Sequence, residues 1–74
     1  MNFYEIVYRL ANEQGISIEN LCLKLGKSPR YIAGSKSRGS LPKIDNAIMI
    51  LNELGYTICM VPNENVPEDA IIIN

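Results

Sequence analysis

The segment between Leu21 and Gly34 constrains this chain most, because it predicts two short helices joined by a tight turn. Gly26 marks the end of the first helix, since only glycine enters the left-handed conformation at a helix C-terminus without a side-chain clash. Ser28 offers a hydroxyl to the free amides of the next helix, and Pro29 stands where a missing N–H costs nothing. The segment therefore predicts a helix-turn-helix. Its apolar contacts are expected from Leu21, Leu25 and Ile32, with Cys22 small enough to allow close approach.

The length of 74 residues allows one domain with a small core, so self-association would be a natural way to bury more surface. The hydrophobic fraction of 47% argues against disorder. No apolar run approaches the roughly 20 residues that span a bilayer, and the first residues lack the pattern of a secretory signal. We therefore expect a cytoplasmic protein in which Cys22 and Cys59 are reduced thiols that pack as small hydrophobic residues.

The cations of the chain are concentrated between positions 24 and 43, a segment that we call the basic window. It holds six of the seven Lys and Arg residues and no carboxylate, so its charge is +6, whereas the remainder carries one cation and eight carboxylates, or −7. The six cations are Lys24, Lys27, Arg30, Lys36, Arg38 and Lys43. Such a cluster around the second helix of the motif is the electrostatic footprint of a phosphate-binding face. The alternative is a solvated segment that happens to be basic.

A first helix is predicted from about Phe3 to Glu13, capped by Asn2 and closed by Gly15. Its apolar stripe consists of Phe3, Ile6, Val7 and Leu10. Tyr4 and Tyr8 lie one turn apart beside this stripe, so we expect them to cover the edge of the core rather than to bind a ligand.

The two helices of the central motif are predicted to begin after Ser17 and at Ser28, and the second runs to about Lys36. Gly34 within it is open to two interpretations. It shortens the helix, or it lets the backbone approach a phosphate or a base edge. Residues 35–42 are predicted to form a polar, basic loop.

A fourth helix is predicted from about Lys43 to Leu54, with Gly55 as its stop. Ile50 widens its apolar stripe and Met49 falls away from it, so a partner surface or the C-terminal tail is needed to cover the excess. The predicted stripe itself consists of Ile44, Ala47, Ile48, Leu51 and Leu54.

After Gly55 the periodicity changes. Residues 56–61 are rich in β-formers and alternate at period two, which predicts a strand ended by Pro62. Residues 63–69 are polar, acidic and broken by proline, hence a loop, and residues 70–73 are a second candidate strand. We therefore expect a mostly α fold, with a four-helix helix-turn-helix domain over residues 1–55 and a short C-terminal β-strand or hairpin in the tail, residues 56–74.

Nothing in the sequence predicts catalysis. Histidine is absent, which excludes Ser–His and Cys–His nucleophile systems and histidine metal sites. No glycine-rich phosphate loop occurs, and the carboxylates are scattered. We therefore expect a protein that is not an enzyme and that holds no metal and no cofactor.

Over about positions 3–55 the chain resembles the phage repressor/Cro family of helix-turn-helix proteins, also called the XRE family. The residues that carry the resemblance are Ser17, Leu21, Cys22, Gly26, Ile32, Gly39, Pro42, Ile44, Leu54 and Gly55. The chain departs from the family pattern at Ile18, Ser35 and Lys36, and Ala33 and Gly34 stand where relatives often carry polar side chains.

The resemblance implies a sequence-specific DNA-binding transcriptional regulator, a dimeric repressor of phage or bacterial origin whose partner is double-stranded DNA. By correspondence the base-contacting residues are Ser28, Pro29, Arg30 and Gly34. Of these, only Arg30 is a strong reader, because it pairs bidentately with guanine. Phosphate contacts are expected from Lys24, Lys27, Tyr31, Lys36, Arg38 and Lys43, and the alternative for Tyr31 is packing.

The segment after the fourth helix is similar to a strand that pairs two subunits in some antitoxin and repressor members. This implies a homodimer joined through Met49, Ile50, Tyr56, Ile58 and Met60. The rival arrangement is a monomer whose tail folds against the first and fourth helices, with Tyr4 and Tyr8 beneath it. The alternative function is a protein-binding member of the fold, either an antitoxin or a phage inhibitor of a host defence nuclease, because the base-reading set is poor and the tail is acidic.

Overall fold

The structure, a computed structural model, describes residues 1–73, and Asn74 at the end of the predicted tail lies outside them. Its four helices are α1 (Phe3–Glu13), α2 (Ile18–Lys24), α3 (Tyr31–Ser37) and α4 (Ile44–Glu53), and a 3-10 turn follows at Asn63–Asn65. The predicted mostly helical fold with four helices is confirmed. None of these helices combines the length and the apolar character needed to cross a membrane.

The starts of α1 and α2 follow from local capping, as predicted. The Asn2 side chain accepts a hydrogen bond from the Glu5 N–H at 2.9 Å, and the Ser17 hydroxyl accepts one from the Asn20 N–H at 3.1 Å. The start predicted for α3 at Ser28 is wrong, because this helix begins at Tyr31 and has no side-chain cap. Residues 28–31 instead form a turn, in which the Tyr31 N–H donates to the Ser28 carbonyl at 3.1 Å, and the regular helix begins after it.

All four helices end at a glycine with a positive φ angle, and α2 shows the geometry most clearly. Gly26 has φ +74°, its N–H donates to the Leu23 carbonyl at 3.0 Å, and the Lys27 N–H donates to the Cys22 carbonyl at 3.0 Å. This pair of bonds is a Schellman motif, which satisfies carbonyls that the helix leaves without partners. The left-handed conformation predicted for Gly26 is confirmed, and the sharp reversal that it allows places α3 against α2.

Each helix contributes at least one large, almost inaccessible side chain to the core. Among these are Val7, Leu21, Ile32 and Ile50, all at most 2% exposed. The stripe predicted for α1 is buried throughout, and Tyr4 joins it in the core. Burying a side chain of this size contributes about 1.5–3 kcal/mol, so these four contacts are the main reason that short helices hold together.

The buried face of α4 differs from the prediction at two positions. Ile44 is 62% exposed, whereas Ile50 is 2% exposed and lies in the core. Ile44 is the first residue of the helix, and Ile50 lies on the same side as Leu51 and Leu54. Ile48 and Met49 are half-buried. Ile50 is therefore unavailable to a second subunit.

The tail contains no strand in the part of the chain that is described, so the predicted C-terminal β-strand or hairpin is wrong. A strand needs a hydrogen-bonded partner, and within residues 1–73 the N–H groups of residues 57–61 donate to no backbone carbonyl. Ile58 and Ile71 instead pack against the core. Cys59 is an exposed thiol, in contrast to the buried Cys22, so its predicted role as a packed small residue is also wrong.

We predict that Gly26→Val lowers the melting temperature measured by circular dichroism. A β-branched residue at φ +74° is strained, at a cost of about 1–3 kcal/mol. The matched control is Gly34→Ala, because Gly34 lies inside α3 without a positive φ, and alanine favours a helix interior. A melting temperature of Gly26→Val equal to that of the wild type would show that the turn does not need a left-handed residue.

Candidate nucleic-acid interface

The outward side of α3 is defined by the burial of Ile32 on its inward side. Successive helical residues rotate by about 100°, so Gly34 and Arg38 lie about 200° and 240° from Ile32. Arg30, the residue before α3, lies on the same outward side and is exposed. The candidate base-reading residues near the start of α3 are therefore brought together on one surface.

Ser28 and Pro29 lie in the turn that leads into α3, and both are exposed. The Ser28 carbonyl accepts a hydrogen bond from the Tyr31 N–H at 3.1 Å. This turn places both residues beside Arg30, although outside the helix that was predicted to contain them. All four predicted base-contacting residues thus lie along the turn and the outward side of α3.

The six cations of the basic window are all exposed, and within residues 1–73 none of them forms an ion pair with a carboxylate. Arg9, the cation outside the window, pairs with Glu13 at 3.1 Å on α1. The cations of the window are therefore not paired with carboxylates within residues 1–73, although the chain as a whole carries a net charge of −1. An exposed cluster of this kind attracts polyanions and is what a phosphate-binding face requires.

Two lysines of the window lie over tyrosine rings. The Lys27 ammonium is 5.3 Å from the centre of the Tyr31 ring, and the Lys36 ammonium is 4.5 Å from that of Tyr8. The negative face of an aromatic ring attracts a cation and restricts where its side chain goes. Lys36 is thereby turned towards α1, away from the side that carries Arg30. Tyr31 packs against the core, which is one of its two expected roles.

Gly34 does not shorten α3, because the helix continues to Ser37. Its missing side chain instead leaves room for Arg38. A Cβ atom at Gly34 would lie 3.2 Å from Arg38 Nη1, and Arg38 Nη2 donates to the Ser35 hydroxyl at 3.4 Å. The guanidinium therefore lies along α3 and covers Gly34. The sequence predicts a loop at Arg38. The four-residue spacing between Gly34 and Arg38 could have indicated that the two residues are neighbours on one side of a helix.

Tyr4 connects the core to this face. Its hydroxyl donates a hydrogen bond to the Ser40 carbonyl and so fastens the segment after α3 onto α1. Burial raises the pKa of the Tyr4 phenol above its ordinary value, and the Ser35 hydroxyl and the Arg38 charge oppose the shift without cancelling it. The phenol is therefore protonated at neutral pH and acts as the donor.

A second surface lies on the other side of α1. The tail and the helices α1 and α4 enclose an open, mostly apolar groove of about 650 Å³, with Ile6, Leu10 and Leu51 among its lining residues. Ile6 and Leu10 are turned roughly half a revolution from Tyr4 and Tyr8 on α1. The tail therefore packs where the rival arrangement expected, on α1 and α4, but not over the two tyrosines.

The residues predicted to join two subunits fall into a buried group and an exposed group. Ile50 belongs to the core and Ile58 packs against it, so neither is a free contact surface. Met60 is 97% exposed, Tyr56 is exposed and Met49 is half-buried. The exposed part of the predicted interface is thus confined largely to the tail.

Comparison with protein-family models gives no match for this chain, and neither the curated proteins nor the solved structures contain a significantly similar one.

We predict that Tyr4→Phe lowers the free energy of unfolding at neutral pH by about 1 kcal/mol, because the Ser40 carbonyl loses its donor. Since the pKa of Tyr4 is raised on folding, the protonated phenol favours the folded state. This contribution is complete below the unfolded value of 10.0 and is lost as the pH rises through the folded pKa.

The measurement is urea denaturation across pH 8 to about 11, read by circular dichroism. The loss of stability on the alkaline side should be smaller in Tyr4→Phe than in the wild type. Tyr8→Phe is the control, because Tyr8 lies one turn further along α1, and phenylalanine keeps the ring on which the Lys36 ammonium lies. Identical pH profiles for wild type and Tyr4→Phe would contradict the assigned role.

Proposed function

We propose that α2 and α3 form the helix-turn-helix of a sequence-specific DNA-binding transcriptional regulator, and that α3 enters the major groove. The observation that carries the proposal is the basic window: its six cations are exposed, they form no ion pair among residues 1–73, and Arg30, Lys36 and Arg38 lie on α3 or at its two ends. Two short helices joined by a glycine turn, with the second exposed on one side, are the arrangement that this mode of DNA binding uses.

Arg30 is the proposed base reader. It lies at the N-terminal end of α3, the end whose residues meet base edges in helix-turn-helix complexes. Its guanidinium pairs bidentately with guanine O6 and N7. Lys24 and Lys27 lie just before this end of the motif, and Lys43 precedes α4. All three are exposed and are proposed to contact phosphates, which set the position of the protein on the duplex.

We further propose a homodimer, because two copies of a short recognition helix read two half-sites about 34 Å apart. Burial within the single chain restricts which residues are available for this contact. Ile50 is buried within its own subunit, so the contact is assigned to the exposed apolar side chains of the tail, among them Tyr56 and Met60. The groove beside them lies on the opposite side of α1 from the basic face, and contact there leaves α3 free.

We predict that Arg30→Ala weakens binding to a preferred duplex by about 1–3 kcal/mol and relaxes the preference at one base pair. The preferred duplex is first selected from a random library, and binding is then measured by fluorescence anisotropy. Lys27→Ala is the matched control, because loss of a phosphate contact weakens binding to all sequences and flattens the salt dependence. Equal losses on preferred and random duplexes for Arg30→Ala would contradict its role as a reader. A wild-type protein that binds no duplex would favour the protein-binding alternative.

We predict that the intact protein sediments as a dimer and that Met60→Asp shifts it to a monomer, because a charge at the centre of an apolar contact is costly to bury. Met60 is 97% exposed in the single chain, so the substitution leaves the core intact. Leu41→Asp is the control, since Leu41 is 71% exposed and lies outside the tail. Sedimentation equilibrium of all three proteins tests the assignment, which a monomeric wild type at high concentration would refute.

A further inference from the structure

We propose that Arg38 is a second base-reading residue, which acts from the space that Gly34 leaves open on α3, and is not a phosphate contact. The proposal deepens the DNA-binding function proposed above and rests on it. It differs from the sequence-based expectation, which placed Arg38 in a basic loop and assigned it to the DNA backbone.

The backbone of Arg38 is held as firmly as that of a helical residue. Its N–H donates to the Gly34 carbonyl at 3.1 Å, and two residues further on the Ser40 N–H donates to the Ser35 carbonyl at 3.0 Å. The Ser40 carbonyl in turn accepts from the Tyr4 hydroxyl on α1. The Cα of Arg38 is therefore fixed relative to α3 and to the core, as a residue that reads sequence must be.

The side chain of Arg38 runs back towards the N-terminal half of α3. Long side chains on a helix lie over the turn that precedes them, and here the guanidinium reaches the level of Gly34, with Nη1 3.2 Å from where a Cβ would stand. This brings the charge towards the end of α3 that carries Arg30. Arg30 and Arg38 are the residues that precede and follow α3, and they lie about 80° apart around its axis, with the Arg38 guanidinium on the flank that carries Ser35.

The small residues of α3 favour a base contact over a phosphate contact. Ala33 and Gly34 carry no long side chain that would hold the helix away from the groove floor. When α3 enters the groove, the group lying over Gly34 stands between the helix and the base edges. Ser35 engages only one N–H of the guanidinium, at 3.4 Å. Its other donors keep the fork geometry that matches guanine O6 and N7.

The test separates charge from fork geometry. A preferred duplex is selected with the wild type, and Arg38→Lys and Arg38→Ala are then compared with the wild type on preferred and random duplexes by anisotropy at one salt concentration. Arg38→Lys should lose about 5- to 150-fold on the preferred duplex, which is the 1–3 kcal/mol of one bidentate base contact. On random duplex it should bind nearly as the wild type does, because its charge is kept.

Two further variants complete the design. Gly34→Leu should reduce binding to the preferred duplex in the same way although Arg38 is present, because a larger side chain occupies the space of the guanidinium. Lys24→Gln is the control for a backbone contact and should weaken binding to both duplexes equally. Circular dichroism establishes that each variant is folded. Arg38 is exposed, so Arg38→Lys should fold as the wild type does and tests the proposal even if Gly34→Leu does not fold.

The outcomes distinguish this proposal from the function on which it rests. If the wild type binds a preferred duplex and Arg38→Lys binds it equally well, the role of Arg38 is overturned. DNA binding by the protein is then still supported. Equal losses for Arg38→Ala on both duplexes do the same, because they identify a phosphate contact. A wild type that binds no duplex overturns both proposals. Selective loss in Arg38→Lys and Gly34→Leu, with an unselective loss in Lys24→Gln, supports the assignment.

Discussion

The structure depends on the meeting of one buried side chain from each of the four helices. α2 and α3 have seven residues each, and helices of that length are unstable in water unless tertiary contacts support them. Leu21 and Ile32 supply that support by packing with Val7 and Ile50 at the centre of the domain. The short helices therefore exist because the core holds them, and the loss of any of these contacts would affect all four.

The same packing sets the charge distribution of the surface. Because Ile32 faces the core, the residues on the other side of α3 face outwards, and these include Gly34 and Arg38. Tyr4 extends this link, since it is buried in the core and its hydroxyl holds the Ser40 carbonyl at the end of α3. The burial of apolar side chains thus determines where the candidate DNA-contacting groups lie on the surface. Ion pairs do not, because within residues 1–73 none of the six cations forms one.

The tail gives the domain a second surface that is chemically unlike the first. It is apolar along the groove and carries no Lys or Arg, because every cation lies at or before Lys43. The two surfaces lie on opposite sides of α1, so an association through the tail and binding of a polyanion at the basic window need not compete. The proposed self-association and the proposed polyanion contact therefore use different surfaces of the domain.

The sequence by itself determined the features that depend on neighbouring residues. The Asn2 and Ser17 caps, the left-handed Gly26 and the limits of α1 are local, and they were predicted because capping involves residues within one or two turns. The clustering of cations is likewise a property of composition. The roles of these cations could be predicted only in part, because the sequence gives the charge of a side chain but not the direction in which it points.

Only the tertiary structure decided the features that depend on distant residues. Ile50 lies in the core and Ile44 does not, although both are apolar residues of α4 and the sequence of this helix allows either. The period-two pattern of residues 56–61 predicts a strand, but a strand forms only where another segment completes its hydrogen bonds, and within residues 1–73 none does. The attachment of the segment after α3 to α1 also depends on distant residues, because the Tyr4 hydroxyl donates to the Ser40 carbonyl, 36 positions further along the chain.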